Sequence, residues 1–554
     1  MTTDLAESAD IPRCDMKKLT SALLALAAAL LCACGAPAVT VAATEPTSAA
    51  AEPSATAATA APSVAVLDFY KTTETLSEER EGTTLCTVKY PALALSDEDA
   101  VAYPALAAAL ASLNRDGAAN STAAYGQLLS AAASDYDRRA AAESAAAAAP
   151  DAADGSAVTP FEMFYRYDDL TLPRADSRAV SILYSMTGFS GGVHGSYYYY
   201  STNLDTATGR ALSVGDVVVS MPQLRAALEA ALREKYPDAG FELMEDALNG
   251  YFADPASLTW TLDYQGLSFF FSPGELSDFD DGKMSCSIRF DAYPGMFSGY
   301  YTAVPLSYAV PFTQWRCMDY DLNGDGAEDD IHIDCVYADD GVSIEKLTIG
   351  VNGREYTANT PMTDCAAYTV CVGGGAKSVL IISAQNLTGY GYMSVYRLDR
   401  TGASLVGMLY DSSLYAAGYA TACPGVPLLT DPDSFVLGTR IQYLGTLTGI
   451  KTYSLGEDGM PASGDAYYQL SGAQPLTLKS QLVPATIDAA GSGTFAAETL
   501  SPGTRLSFLR SDGAGAVDMY TDDGVYCRLY VSGKPGSQRV NGMPVEDVFS
   551  GIVY

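Results

Sequence analysis

Helical periodicity nearly vanishes after Phe312. Before that point, runs with apolar residues at helical spacing alternate with strand-like runs. Beyond it, short alternating apolar runs, separated by Gly, Asp and Asn, continue to Tyr554. A repeat of two turns one face of each run inward and the other to water, so the second half must fold as β-structure. At 554 residues the chain is too long for one core. The expected fold class is multidomain, an α+β N-terminal domain followed by mainly β domains. A break near residues 472–480 divides the β half. The expected domains are 63–312, 313–480 and 481–554.

Within the first domain, Val64, Val66 and Leu67 open a strand, and Leu85 to Tyr90 forms a second. Ser96 and the acids Asp97, Glu98 and Asp99 are an N-cap and first turn. They start a helix through about Leu113, with Leu106, Leu110 and Leu113 on one face. Residues 118–149 are Ala-rich and helical, fading at Pro150. Ala179 to Tyr184 is a strand, and Tyr197 to Tyr200 another, with Tyr197 and Tyr199 on one face and Tyr198 and Tyr200 on the other. Ser220-Met221-Pro222 caps a helix bearing Leu224, Leu228 and Leu232. A further helix covers about Phe241 to Phe252. Trp260–Asp263 and Leu267–Phe271 pair as a hairpin, and Ser285–Phe290 is another strand.

The N-terminus carries an address. Lys17-Lys18 is a positive n-region. Leu19 to Leu31 is an uncharged Ala/Leu run, too short to span a membrane as a mature helix. It ends in Leu31-Cys32-Ala33-Cys34-Gly35, which resembles a bacterial lipobox. That resemblance implies a lipoprotein signal peptide over 16–33. Cys34 would carry diacylglycerol on its thiol, with a palmitate-type anchor, and become the new N-terminus on the extracytoplasmic face of the membrane. Residues 1–15 carry acids ahead of the signal, so Met16 is read as the true start. Residues 34–62 are Ala, Pro, Thr and Ser with little else, a disordered tether. No later apolar run reaches about 18 residues, so no transmembrane helix is expected. The charge balance is 32 Lys plus Arg against 66 Asp plus Glu. That excess of acid argues against nucleic acid and anionic lipid as partners, which need cationic surface.

The most specific word is Phe189-Ser190-Gly191-Gly192-Val193-His194-Gly195, which holds one of the 2 histidines. Other words surround it in order: Tyr103-Pro104-Ala105-Leu106 with Ala109-Leu110, Arg174-Ala175-Asp176-Ser177, Asn203-Leu204-Asp205 with Thr208-Gly209, Leu212, Asp216-Val217, Phe269-Phe270-Phe271-Ser272-Pro273 and Gly282. Together they resemble a bacterial extracytoplasmic domain family of unknown function, over about Val64 to Pro311. That family forms the outer part of the lysozyme-sensing anti-sigma-V factor and a non-catalytic part of a peptidoglycan deacetylase. It usually has Ala where this chain has Val193. The resemblance implies helices over a mixed sheet, and binding rather than catalysis. In the anti-sigma relative this domain binds lysozyme. This chain reads as lacking that relative's sigma-binding segment and membrane span. His194, Gly191 and Gly192 are the candidate binding residues.

Gly188-x-Ser190-x-Gly192 has the spacing of a hydrolase nucleophile elbow, which requires a strand, a sharp turn and then a helix. The alternative function is therefore a wall-acting hydrolase using Ser190 and His194. The strand-like tyrosines that follow, and the lack of a separate base, favour the non-enzyme. His194 and His332 fall in different domains, so they make no zinc cluster. Gly373 to Ser378 imitates a phosphate loop, but Ala376 stands where glycine is needed.

The strongest chemical motif is Asp319-Tyr320-Asp321-Leu322-Asn323-Gly324-Asp325-Gly326-Ala327-Glu328-Asp329. Oxygen ligands at alternate positions, with Gly326 for a sharp turn, suit the six to eight oxygens that Ca²⁺ requires. Asp319, Asp321, Asn323, Asp325 and Asp329 are the candidate ligands of a structural Ca²⁺. A strand follows in place of a helix, which resembles calcium loops of integrin-like and propeller-like β repeats. The last module resembles a bacterial SH3-like barrel, from Leu500-Ser501-Pro502-Gly503 to Phe549, with a turn at Asp523-Gly524. Among the cysteines, Cys317 with Cys335 and Cys365 with Cys371 are the pairs to test. Tyrosine is abundant, at 37 residues; most are strand residues, and exposed ones can form recognition surfaces for glycan or protein. The sequence reads as a membrane-anchored extracytoplasmic binding or sensing lipoprotein. Its partner is a cell-wall glycan or a lysozyme-like protein.

Overall fold

The hairpin of Phe69–Arg80 (β1) and Thr83–Leu95 (β2) turns at Glu81-Gly82, where both residues have positive φ, 54° and 80°. That conformation matches the twist of paired strands, and Gly82 adopts it without steric cost. The computed structural model describes residues 63–554 apart from 149–160, 193, 242, 280–281, 313–317, 322–328, 339–342, 359–361, 375–376, 387, 400–401, 419–424, 471–472 and 489–497. The expected signal peptide, Cys34 and the tether lie outside the described residues.

After β2 the chain makes a short helix, Asp97–Ala102 (α1), capped by the Ser96 hydroxyl, which accepts from the Asp99 amide. The residue before Pro104 disfavours helical geometry, and Tyr103 ends α1 at φ −125°, ψ 63°. The next helix, Pro104–Ala148 (α2), runs 45 residues without a break. Sequence spacing separates a helix ending near Leu113 from one starting at 118. The structure joins them because Gly117, the one weak point between, meets no neighbour and costs only propensity, about 1 kcal/mol. α2 is the crossover that lets β2 pair in parallel with Phe164–Ala175 (β3). Ala179–Phe189 (β4) and Ser196–Asp205 (β5) extend the sheet antiparallel. A distant segment, Val426–Pro427, completes the six-stranded sheet by pairing with β1.

Leu106 and Leu110 of α2 pack on Leu170, Leu172, Val180, Ile182 and Leu204, which fill one face of that sheet. A second core lies under Val214–Val217 (α3), Met221–Lys235 (α4) and Met244–Ala253 (α5). There Leu224, Leu228 and Leu232 meet the three-stranded sheet of Trp260–Leu262 (β6), Gly266–Phe271 (β7) and Met284–Arg289 (β8). The helical spacing of those leucines and the β6–β7 hairpin are as the sequence implies.

Arg174 and Asp176, words of the family resemblance, are fully buried. Arg174 Nε donates to Asp176 at 2.8 Å, Nη1 donates to the Tyr301 carbonyl at 2.6 Å, and Nη2 donates to the Ala303 carbonyl at 2.7 Å. Asp176 in turn accepts the amides of Arg178 and Ala179. The pair ties the end of β3 to the segment entering the second half.

The rest is β-structure, as its alternation implies, apart from the short helices Leu414–Gly418 and Val545–Val548; the described residues are 46% strand and 21% helix. Tyr308–Phe312 (β9), Met318–Tyr320 (β10), Asp329–Tyr337 (β11), Ile344–Val351 (β12), Arg354–Ala358 (β13), Asp364–Val372 (β14), Lys377–Gln385 (β15), Gly391–Asp399 (β16) and Gly402–Tyr410 (β17) follow in order. β10 to β13 form a four-stranded sheet, and β17-β16-β15-β14-β9 a five-stranded one. Ile331, Ile333, Leu347 and Ile349 of the first meet Val310, Leu380, Ile382 and Tyr396 of the second in one core. Residues from 412 onward, Val426–Pro427 apart, build a 13-stranded sheet, whose later strands pack around Leu506, Phe508, Met519 and Leu529.

Strand pairing crosses the boundaries expected at 312 and 480. β9, which ends at residue 312, pairs with β14, and Tyr468–Leu470 pairs with Arg505–Ser511 across residue 480. Residues 63–554 form one compact unit.

Candidate functional site

The glycine-histidine word is the turn between antiparallel β4 and β5. Gly191 and Gly192 have φ of 89° and 114°, and a Cβ on Gly191 would meet the Phe164 ring at 2.9 Å. Glycine is required there by backbone shape and close approach together. His194 is exposed; its Nδ1 lies 3.1 Å from the Gly195 carbonyl oxygen, and its ring is 5.0 Å from that of Phe279. Val193 lies outside the described residues. Ser190 is followed by strand β5 in place of the helix that a nucleophile elbow needs. The word therefore builds a hairpin tip, and the geometry gives Ser190 no elbow.

The aspartate motif spans a second hairpin. Asp319 lies on β10 and Asp329 begins β11, with Tyr320 opposite Asp329. Asn323 and Asp325 lie outside the described residues. Gln265 clamps the loop's entry: its Oε1 accepts the Asp321 amide at 3.0 Å, and its Nε2 donates to the Asp321 carbonyl at 2.9 Å. The Asp321 carboxylate lies 3.4 Å from Arg289 Nη2, and buried Asp329 accepts from Asn352 Nδ2 at 2.8 Å. Among the described residues no three His, Cys, Asp or Glu side chains cluster as a metal site.

A third place has more convergent chemistry, and sequence spacing does not reveal it. On β3, Tyr165, Tyr167 and Asp169 alternate onto the face away from α2. Register sets Phe189, Thr187 and Ser185 of β4 beside them, and Tyr197 and Tyr199 of β5 next. Tyr165 stacks on Tyr167 at 4.9 Å and on Phe189 at 6.3 Å, while Tyr197 meets Tyr199 edge-on at 5.0 Å. These residues are half-buried, so each keeps part of its surface exposed. Two ammonium groups hang over it, Lys89 Nζ at 5.0 Å from Tyr167 and Lys283 Nζ at 4.4 Å from Tyr197.

Two walls flank the row. On one side Phe270 of β7 touches Tyr199 at 5.3 Å. On the other, Lys71 of β1 bonds Asp169 at 2.9 Å and lies within electrostatic reach of Tyr368 and Asp364 of β14. Burial disfavours the charged Lys71, but Asp169 outweighs it and the ammonium pKa is raised. Burial pushes the Asp364 carboxyl up, against the pull of Lys71. Burial, reinforced by Asp364, holds the Tyr415 hydroxyl well above its usual range. Tyr167 and Tyr197 are likewise raised by burial. All these phenols are neutral at physiological pH, and the Tyr197 hydroxyl is itself buried. The place thus combines partly exposed aromatic residues, neutral hydroxyls, ammonium groups and a carboxylate in one strip.

Solved structures similar to this chain are DUF3298 family proteins. One, from Bacteroides fragilis NCTC 9343, is 14% identical and covers 43% of this chain and 96% of its own length, with a TM-score of 0.30. Another, from Pseudomonas aeruginosa PAO1, is 14% identical and covers 43% of this chain and 97% of its own, with a TM-score of 0.27. That family is a domain of unknown function. No family profile matches the chain, and no curated protein sequence matches it.

Proposed function

We propose that this chain is an extracytoplasmic binding protein of the bacterial envelope, lipid-anchored through Cys34, and that the open face of its six-stranded sheet takes cell-wall glycan. The observation that carries this reading is the row Phe189, Tyr165, Tyr167 and Tyr197, with Lys89, Lys283, Lys71 and Asp169 along it. Sugar rings present flat C–H faces that pack on aromatic rings, and their hydroxyls need donors and acceptors at the rim. Wall glycans also carry carboxylates. The two ammonium groups suit them, in a chain whose net charge is −34. The resemblance to the anti-sigma-V and deacetylase domains points to the same compartment.

Co-sedimentation of the full chain with insoluble peptidoglycan tests the reading. The chain is expected to deplete from solution, and the Tyr165→Ala/Tyr167→Ala variant to retain about a tenth or less of that binding. Equal retention of the variant overturns the site. Retention of lysozyme with no glycan binding transfers the reading to a protein ligand. No turnover of the wall is expected, and Ser190→Ala or His194→Ala leaves binding unchanged.

The finer fold readings belong to the same proposal: an integrin-like or propeller-like calcium repeat over 313–480 and an SH3-like barrel over 481–554. In it, Asp319, Asp321, Asn323, Asp325 and Asp329 close round a structural Ca²⁺. The β10–β11 hairpin supports this by drawing both ends of the motif together. Binding must draw Asp321 off Arg289. Adding calcium to chelator-treated chain is expected to raise the melting temperature by several degrees, as mass action on a native-state ligand requires. An unmoved melting curve sinks the metal assignment.

A further inference from the structure

Cys335 and Cys365 lie on different sheets. Cys335 is on β11 opposite Leu347, and Cys365 is on β14 opposite Ala384. Their strands belong to the four- and five-stranded sheets that share one core, and both side chains pack half-buried against it. The two sulfurs stand 4.0 Å apart. The pairing of Cys365 with Cys371, read from sequence spacing, is excluded. Both lie on β14, and six residues of extended strand span roughly 20 Å, far beyond disulfide reach. Cys317, the other expected partner of Cys335, lies outside the described residues.

We propose that Cys335 and Cys365 are an oxidisable pair that closes into a disulfide, stapling the two sheets at the margin of their shared core. Sulfurs at contact distance need only small side-chain rotations to bond, while both backbones stay in their ladders. The chemistry also has a direction. Hydrogen bonding from Cys365 lowers the Cys335 thiol pKa despite burial, whereas Cys365, as donor and more deeply placed, is raised well above its usual range. Cys335 is thus the better thiolate at neutral pH. With a disulfide oxidant such as oxidised glutathione, the Cys335 thiolate attacks one sulfur and expels a glutathione thiolate, leaving a mixed disulfide. Cys365 then loses its proton, attacks the Cys335 sulfur and expels the second glutathione. Two electrons pass to the oxidant, and two protons leave the protein thiols. This inference is independent of the glycan reading, because it needs only the two sheets as packed here.

The test uses the full chain, purified reduced, exposed to oxidised glutathione, alkylated and mapped by mass spectrometry. The expected product is one cross-linked pair of peptides holding Cys335 and Cys365, lighter by two hydrogens, with neither thiol alkylated. Oxidation should also raise the melting temperature of the wild-type chain. Closing a loop of this length shifts the folding equilibrium on the order of 10²-fold. Cys335→Ser should melt identically with and without oxidant. Alkylation of both cysteines after oxidation, or a bridge from either to a different cysteine, overturns the proposal. The wild-type map decides this even where the variant does not fold.

Discussion

Replacing Arg174 by methionine is expected to lower the unfolding free energy by about 3–5 kcal/mol, the usual cost of leaving one member of a buried ion pair alone. Arg174 and Asp176 are both 0% exposed. The guanidinium reaches four acceptors on three segments, the Asp176 carboxylate and the carbonyls of Asp263, Tyr301 and Ala303. It also sits 5.6 Å from the centre of the Tyr264 ring. Methionine fills the stem's volume but supplies no donor, so a carboxylate and three carbonyls lose a donor in the core. Lysine keeps the charge but not the fork, and is expected to recover little. The double variant Arg174→Met/Asp176→Asn removes the stranded charge and should regain part of the loss. Urea unfolding of the three variants reads this out. A loss below about 1 kcal/mol for Arg174→Met would show that the pair is not dry.

Asp518→Ala is expected to cost a similar amount, about 3–5 kcal/mol, for the opposite charge. Asp518 is fully buried on Ala516–Thr521, between Arg510 and Arg528 on the neighbouring strands. Arg510 Nε donates to it at 2.8 Å, and Arg528 donates through Nε at 2.6 Å and Nη2 at 2.8 Å. Both guanidiniums also lie over Tyr467, at 4.8 and 5.2 Å. Without the carboxylate, two cations that are nearly out of water face each other. An Arg510→Met/Asp518→Leu/Arg528→Met triple variant of similar volume is expected to restore most of the stability. If it unfolds as easily as Asp518→Ala, the loss comes from packing and not from the stranded charges.

Local pattern carried much of this fold. Leu224, Leu228 and Leu232 recur at helical spacing, and all are buried where that spacing puts them. The split of Tyr197 and Tyr199 from Tyr198 and Tyr200 follows from the period of a strand, and the register with β4 confirms it. Which face α2 would cover was not legible, because that depends on a helix docking across β2 and β3. Lys71 and Asp169 are separated by 98 positions, and no local signal joins them. The Arg510–Asp518–Arg528 row exists only once three strands are in register. Arg174-Ala175-Asp176 stood out as a word, but its role appeared only with Tyr301 and Ala303 beside it. The boundaries at 312 and 480 followed a change of periodicity and a break in the strand pattern, whereas strand pairing is set by contacts distant in sequence. The glycine-histidine word looked site-like because glycines mark special backbone; here they serve the turn and the Phe164 ring.

On the proposed function, the face lined by Tyr165 and Tyr167 binds wall saccharide. Calorimetric titration of soluble peptidoglycan oligosaccharides into the full chain, and into Tyr167→Ala, tests it most directly. Saturable heat is expected for the wild type, and an affinity at least about tenfold weaker for the variant. Equal affinity in the two proteins, or no heat with either, would contradict it.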